Sequence, residues 1–169
     1  MTSPTRRLTL IRHAKSSWKN PNLRDRERPL NKRGKRDAAD MGMRLRDRGV
    51  NPDLIICSPA KRALETAKAI AREISYQNDR IAVEDTIYEA EAYGILKLIK
   101  GLDDSHNEVM LIGHNPAFSE LAASLGNEPV GNMPTCSVFC IDFRSDTWRT
   151  ISKEEGRLVF YDYPKNIPE

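Results

Sequence analysis

Three segments carry residue types that could do chemistry. Arg12-His13 follows the apolar run Leu8–Ile11. Ser58-Pro59 leads to Arg62, and Gly113-His114-Asn115-Pro116 follows Val109–Ile112. Imidazole is a base and nucleophile near neutral pH, and guanidinium is a fixed cation whose fork of donors fits phosphate. Two histidines and several arginines at an anion-friendly place suit phosphoryl transfer, which needs positioning and charge stabilisation more than elaborate covalent steps. Each piece alone has a plainer reading. A histidine after a strand is commonly a hydrogen-bonded structural residue, and an arginine in a first helical turn is commonly a surface charge. The force lies in the combination, because three strand ends supply one coherent chemical set.

The elements that must bring these residues together can be read from periodicity. Leu8–Ile11, Asp53–Cys57, Ile81–Val83 and Val109–Ile112 are short apolar runs, read as strands; Val138–Phe143, Thr147–Ile151 and Leu158–Tyr161 add two or three more. Residues 14–30 are polar, contain Pro21 and Pro29, and read as a loop. Ala38, Met41 and Leu45 mark one face of a helix with Asn31 as N-cap and Gly49 as its stop. Ser58 and Asn115 are read as N-caps, each followed by proline at the first helical position. The helix after Ser58 carries Ala63, Ala67, Ile70 and Ile74; that after Asn115 carries Phe118, Leu121, Ala122 and Leu125. Glu89–Lys100 reads as a helix with Ile95, Leu96 and Ile99 inward. Strands alternating with helices predict one α/β domain over residues 1–169, a mostly parallel central sheet with helices on both faces. In such sheets ligands bind outside the carboxyl ends of the strands. Both helix N-termini then favour anions at that crevice. Helical side chains lean toward the N-terminus, so Arg62 should reach back over it.

Composition narrows the field. The chain has 169 residues, 39% hydrophobic and 30% charged, as in a globular protein. No run approaches the roughly 18 apolar residues of a membrane span, and Met1–Arg7 lacks an apolar signal core. A cytoplasmic protein without a membrane partner is expected. Three cysteines, Cys57, Cys136 and Cys140, form no two-pair metal pattern and read as reduced structural thiols. With three histidines no metal-ligand cluster is evident, and no cofactor is expected. His106, in the polar turn Asp103–Asn107, is expected to be solvent-exposed and outside the chemistry. Net charge is +3, yet residues 1–50 carry +10 and the remainder −7. The basic third attracts anions, although many of its charges suit a solvated helix face. A competing reading takes Arg24–Arg36 as a nucleic-acid contact. That segment has no aromatic residue for stacking and is interrupted by acidic residues and proline, so no nucleic-acid partner is expected.

Leu10-Ile11-Arg12-His13-Ala14-Lys15-Ser16 resembles the signature of the histidine phosphatase superfamily, the phosphoglycerate-mutase-like proteins. Arg28-Pro29-Leu30-Asn31 with Gly34, Cys57-Ser58-Pro59-Ala60-Lys61-Arg62-Ala63 with Thr66-Ala67, and Ile112-Gly113-His114-Asn115-Pro116 follow in the family's order. The resemblance spans about residues 8–125 and is greatest to the SixA-type phosphohistidine phosphatases. Ala14 stands where the superfamily usually has glycine. The resemblance implies a phosphoglycerate-mutase-like fold and a metal-independent phosphatase. In it His13 is the nucleophile and becomes a transient phosphohistidine. Arg12 and Arg62 hold the phosphoryl oxygens, Arg28 adds a third cation, and His114 completes the pocket. Neighbouring arginines should then lower the His13 pKa. Glu89, in Ile87-Tyr88-Glu89-Ala90, is the positional match to the family's general acid; otherwise it is a first-turn glutamate favouring a helix dipole.

The expected substrate is a protein phosphohistidine. The alternatives are a small-molecule phosphomonoesterase or a mutase of the same fold. Mutases of the family usually carry longer insertions that enclose the substrate, so a compact chain implies an open pocket for a phosphorylated protein or small molecule. Oligomeric state is left open by the sequence.

Overall fold

A computed structural model describes residues 4–167, so the readings made for the N-terminal segment and for the domain limits extend beyond the described residues. The elements are β1 (Thr5–Arg12), α1 (Lys32–Asp47), β2 (Leu54–Cys57), α2 (Lys61–Glu73), β3 (Ala82–Val83), α3 (Thr86–Glu89), α4 (Ala92–Lys100), β4 (Glu108–Gly113), α5 (Ala117–Gly126), β5 (Val138–Arg144) and β6 (Arg157–Asp162). The strands form one sheet in the order β3-β2-β4-β1-β5-β6. β3, β2, β4 and β1 run parallel, whereas β5 pairs antiparallel with both β1 and β6. The α/β reading with a mostly parallel sheet holds.

Both faces are buried, which is why the central strands read as unbroken apolar runs. Leu8, Leu10, Val109 and Leu111 face one core with Ile95, Phe118 and Leu121 of α4 and α5. Ile11, Met110, Ile112 and Ile55 face the other, with Ala38, Met41 and Leu45 of α1 and Ala63, Ala67 and Ile70 of α2. α1 starts as expected, Asn31 Oδ1 accepting from the Gly34 amide at 2.8 Å. Gly49, at φ 76°, follows its end. Gly34 is required by packing. A Cβ there would lie 2.1 Å from the Lys15 carbonyl oxygen, inside the loop that follows β1.

Four sequence expectations are corrected. Ser58 is not the N-cap of α2: the helix begins at Lys61 with Ala60 at the cap, while Ser58 Oγ accepts from the Ala60 amide at 3.2 Å. The N-cap position of α5 is Pro116, although Asn115 Oδ1 still accepts from the Ser119 amide at 3.2 Å. The stretch 89–100 is two helices, because Ala90 and Glu91 are extended between α3 and α4. Residues 147–151 form turns, not a strand. There Trp148 is fully buried and donates from Nε1 to the His106 carbonyl at 2.8 Å, so the apolar signal came from a packed turn. Among the described residues no helix is long and apolar enough to cross a membrane. The three cysteines are free and buried. Burial raises the Cys57 and Cys140 thiols to about 12 and about 11, which makes them poor nucleophiles.

Candidate active site

β1 and β4 are adjacent and parallel, with Arg12 opposite Gly113, so the strand ends place His13 beside His114. Their ring centroids lie 5.1 Å apart. The His13 amide donates to the Gly113 carbonyl at 3.0 Å. From the other side, the Cys136 amide donates to the carbonyls of both Arg12 and His13 at 3.0 Å. The backbone at the end of β1 is thus held from two directions.

His13 is buried, and its Nδ1 lies 2.7 Å from the Ala14 carbonyl oxygen. A carbonyl can only accept, so Nδ1 carries the hydrogen and Nε2 keeps its lone pair. Burial holds the His13 pKa down at about 3; the Ala14 carbonyl opposes this, and His114, Arg62 and Arg12 add to it. The direction agrees with the sequence expectation, but desolvation, not the arginines, is the leading cause. Ala14 itself is fully buried, its amide donating to Thr66 Oγ1 of α2 at 3.0 Å.

Arg62 does reach back from the first turn of α2. Its Nη1 donates to the Asp25 backbone oxygen at 2.7 Å and its Nη2 to Asp25 Oδ2 at 2.9 Å. Arg28, also buried, donates from Nη1 to Asp25 Oδ1 at 3.1 Å, from Nε to the Ser17 carbonyl at 3.1 Å, and to Ser16 Oγ. Tyr88 Oη donates to Asp25 Oδ2 at 2.6 Å. One carboxylate therefore joins Arg28, Arg62 and Tyr88. The Tyr88 hydrogen bond and the Arg62 cation hold Asp25 down at about 2 against partial desolvation, so it is an anion at neutral pH. Arg12 donates from Nη1 to the Met133 carbonyl at 2.7 Å. Asn115 Nδ2 donates to the same oxygen at 3.0 Å, tying the segment after β4 to Arg12.

His114 Nε2 lies 2.7 Å from Ser58 Oγ, and the Tyr88 ring stands edge-on to it at 5.6 Å. Burial, aided by Arg62 and Arg12 and opposed by Asp25, lowers its pKa to about 4. Both imidazoles are therefore neutral at pH 7 in a pocket walled by guanidiniums. Such a pocket can hold the oxygens of a phosphoryl group while offering His13 Nε2 as the attacking atom.

The structure thus gathers Arg12, His13, Arg28, Arg62 and His114. Glu89 is exposed and, among the described residues, makes no hydrogen bond or ion pair to them; it closes the short α3, so it does not sit in the first turn of a longer helix as the sequence suggested. His106 is half-buried, not exposed; it precedes β4 and lies at the opposite end of that strand from His114. Sequence reading missed Asp25, Tyr88 and Ser58 as site residues. Asp25 could have been sought as an acid three residues before Arg28, but its link to Arg62 spans 37 residues and has no local signature. A second groove, of about 720 Å³ and lined by Thr5, Arg144 and Glu155 among others, lies at the other end of β1 and holds no histidine. Among the described residues no group of three or more His, Cys, Asp or Glu could hold a metal ion.

Comparison with known proteins bears on the family and the fold. Residues 8–92 match the family model of the histidine phosphatase superfamily, branch 1. An uncharacterized chloroplastic protein of Arabidopsis thaliana is 29% identical over 160 residues, covering 87% of this chain and 71% of that protein. The structure of a candidate SixA phosphohistidine phosphatase from Agrobacterium tumefaciens is 30% identical with a TM-score of 0.76, over 97% of this chain and 99% of that one. The protein histidine phosphatase SixA complexed with tungstate has the same fold, with a TM-score of 0.82 at 18% identity, over 96% and 99% of the two chains.

Proposed function

The chain belongs to the histidine phosphatase superfamily, and from that premise we propose that it hydrolyses protein phosphohistidine through a phosphohistidine intermediate on its own His13. The family and its SixA-like neighbours support a phosphatase. The observation that carries the mechanism is the Nδ1 contact to the Ala14 carbonyl, which leaves Nε2 as a neutral, unprotonated nucleophile.

In the first step Nε2 attacks phosphorus in line with the leaving group. The new N–P bond forms as the bond from phosphorus to the substrate nitrogen breaks. The substrate imidazole departs with that electron pair and takes up one proton. The His13 ring gains positive charge while Nδ1–H stays on the Ala14 carbonyl, whose oxygen favours that charge. Arg12, Arg62, Arg28 and His114 offer donors to the phosphoryl oxygens. Water then attacks phosphorus, the N–P bond breaks with its pair returning to Nε2, and one proton is released with phosphate. Asp25 is ionised and already accepts from three side chains, so it is not the proton source for a leaving group. Glu89 is the carboxyl proposed for substrates that need one. No metal takes part in these steps.

The substrate assignment is supported by the neighbour at 30% identity, itself described as a phosphohistidine phosphatase candidate. The deciding experiment compares kcat/KM on a phosphohistidine protein, a small phosphoramidate, a sugar phosphate and an aryl phosphate, with and without chelator. The expected result is highest efficiency on phosphohistidine, unchanged by chelation, with a rapid-quench label on His13 that is absent in His13→Ala. Preference for a sugar phosphate would overturn the substrate. A label on another residue, or activity restored only by added divalent ion, would overturn the mechanism.

A further inference from the structure

We infer that the face beside the pocket, centred on Trp18 and the basic groove of Lys19, Lys32 and Lys35, docks the acidic protein segment that carries the phosphorylated side chain; this rests on the phosphatase reading above. Trp18 is 75% exposed, although it belongs to a loop otherwise tied to the site. Its ring lies over Arg28, with the guanidinium carbon 3.2 Å from the ring centroid. That guanidinium is bonded through Asp25 to Arg62. The indole thus stacks on a residue of the pocket, with the rest of its surface turned to solvent. An exposed aromatic is the kind of group that anchors protein interfaces, and here it gives no core packing that would explain it otherwise.

Next to it runs a shallow groove of about 460 Å³, lined by Pro29 and Leu30 together with Lys19, Lys32, Arg33 and Lys35. Lys19, Lys32 and Lys35 are exposed, and among the described residues none has a carboxylate within ion-pair distance; Arg33 pairs with Asp37 at 3.5 Å. α1 has no acidic residue in its first turn. Cations there oppose the helix dipole, so this charge arrangement is not one that stabilises the free protein. An acidic chain lying in the groove would relieve it. Charge complementarity therefore selects a polyanionic partner, and three features favour protein over nucleic acid. Pro29 and Leu30 give the groove apolar lining, the neighbouring Trp18 is a single aromatic with one face already covered by Arg28, and Pro29 and Leu30 directly follow Arg28 of the pocket read as taking a phosphorylated side chain.

The test uses three phosphohistidine peptides with glutamate, serine or lysine on both sides of the histidine, and a small phosphoramidate. Wild type should favour the glutamate-flanked peptide over the serine-flanked one by about tenfold in kcat/KM, with the advantage shrinking as salt rises. The double variant Lys32→Glu with Lys35→Glu should erase or invert that preference. It should leave the serine-flanked peptide and the phosphoramidate within about twofold of wild type, a range expected for charges outside the pocket. A binding arm needs no turnover. The unphosphorylated glutamate-flanked peptide should shift the emission of Trp18 saturably, and the shift should vanish in Trp18→Phe, since Trp148 is buried. Absence of preference in wild type, or a preference that survives charge reversal, overturns the docking surface. A single-stranded oligonucleotide that saturates the Trp18 signal more tightly than the acidic peptide overturns it in favour of nucleic acid. If no phosphohistidine substrate is turned over while the Trp18-dependent peptide binding persists, the phosphohistidine assignment falls and the docking surface stands.

Discussion

The Ala14 carbonyl decides which nitrogen of His13 keeps its lone pair. By accepting from Nδ1 at 2.7 Å it fixes the tautomer, and it does so through backbone, independently of the side chain at position 14. Burial then keeps the ring neutral. The sign of the pH effect follows from the two folded-state values, about 3 for His13 and about 4 for His114, both below the ordinary 6.5. Between those values and 6.5 the unfolded chain binds protons that the folded chain does not. Stability from these groups is therefore complete above about pH 6.5 and drains as pH falls through about 4 and about 3. His13→Asn removes one such group. Urea midpoints measured from pH 7 to pH 4 should fall more steeply in wild type than in this variant. Parallel curves would show that His13 titrates alike in both states.

At the scale of elements, the site is a meeting of strand ends with one long loop. The strand ends were legible because Arg12-His13 and Gly113-His114 follow abruptly on buried apolar runs, and the sheet then makes β1 and β4 neighbours. The helix starts were less legible. Ser58-Pro59 has the composition of an N-cap pair, but the hydroxyl faces His114 Nε2, and the helix begins two residues beyond Pro59. Here a site contact displaced a local preference. The loop 14–30 was least legible, because its order comes from partners distant in sequence: Asp25 meets Arg62 and Tyr88. This arrangement makes Asp25 a positioning residue. Arg62→Ala, which removes a donor proposed for the phosphoryl oxygens, should lower kcat by about 10²–10³. Asp25→Ala leaves that guanidinium present but unanchored, and should cost about tenfold to a hundredfold in kcat/KM. The discriminating comparison is the double variant Arg62→Ala with Asp25→Ala. If Asp25 acts through Arg62, the double variant is little worse than Arg62→Ala alone. Multiplicative losses would show that Asp25 acts independently.

On the scale of the whole molecule, the four parallel strands send their carboxyl ends, two neutral imidazoles and a ring of cations to one side, and the basic loop that leads to α1 follows directly on β1. The site is therefore equipped for binding phosphoryl groups more fully than for protonating what leaves them. The carboxylate inside it, Asp25, is committed to Arg28, Arg62 and Tyr88, while Glu89 lies exposed beyond Tyr88 at the end of α3. This imbalance predicts how substrates should differ. A phosphoester leaves as an alkoxide-like oxygen and needs a proton, for which a general acid typically contributes about 10²–10⁴-fold. A phosphohistidine leaves as imidazole, which departs more readily. Glu89→Gln should accordingly damage ester hydrolysis far more than phosphohistidine hydrolysis, as read from kcat/KM on both substrates in both proteins. Equal losses would argue that the acid matters regardless of leaving group and would uncouple it from phosphohistidine preference. No loss on either substrate would take Glu89 out of the mechanism and leave the departing imidazole to collect its proton from water.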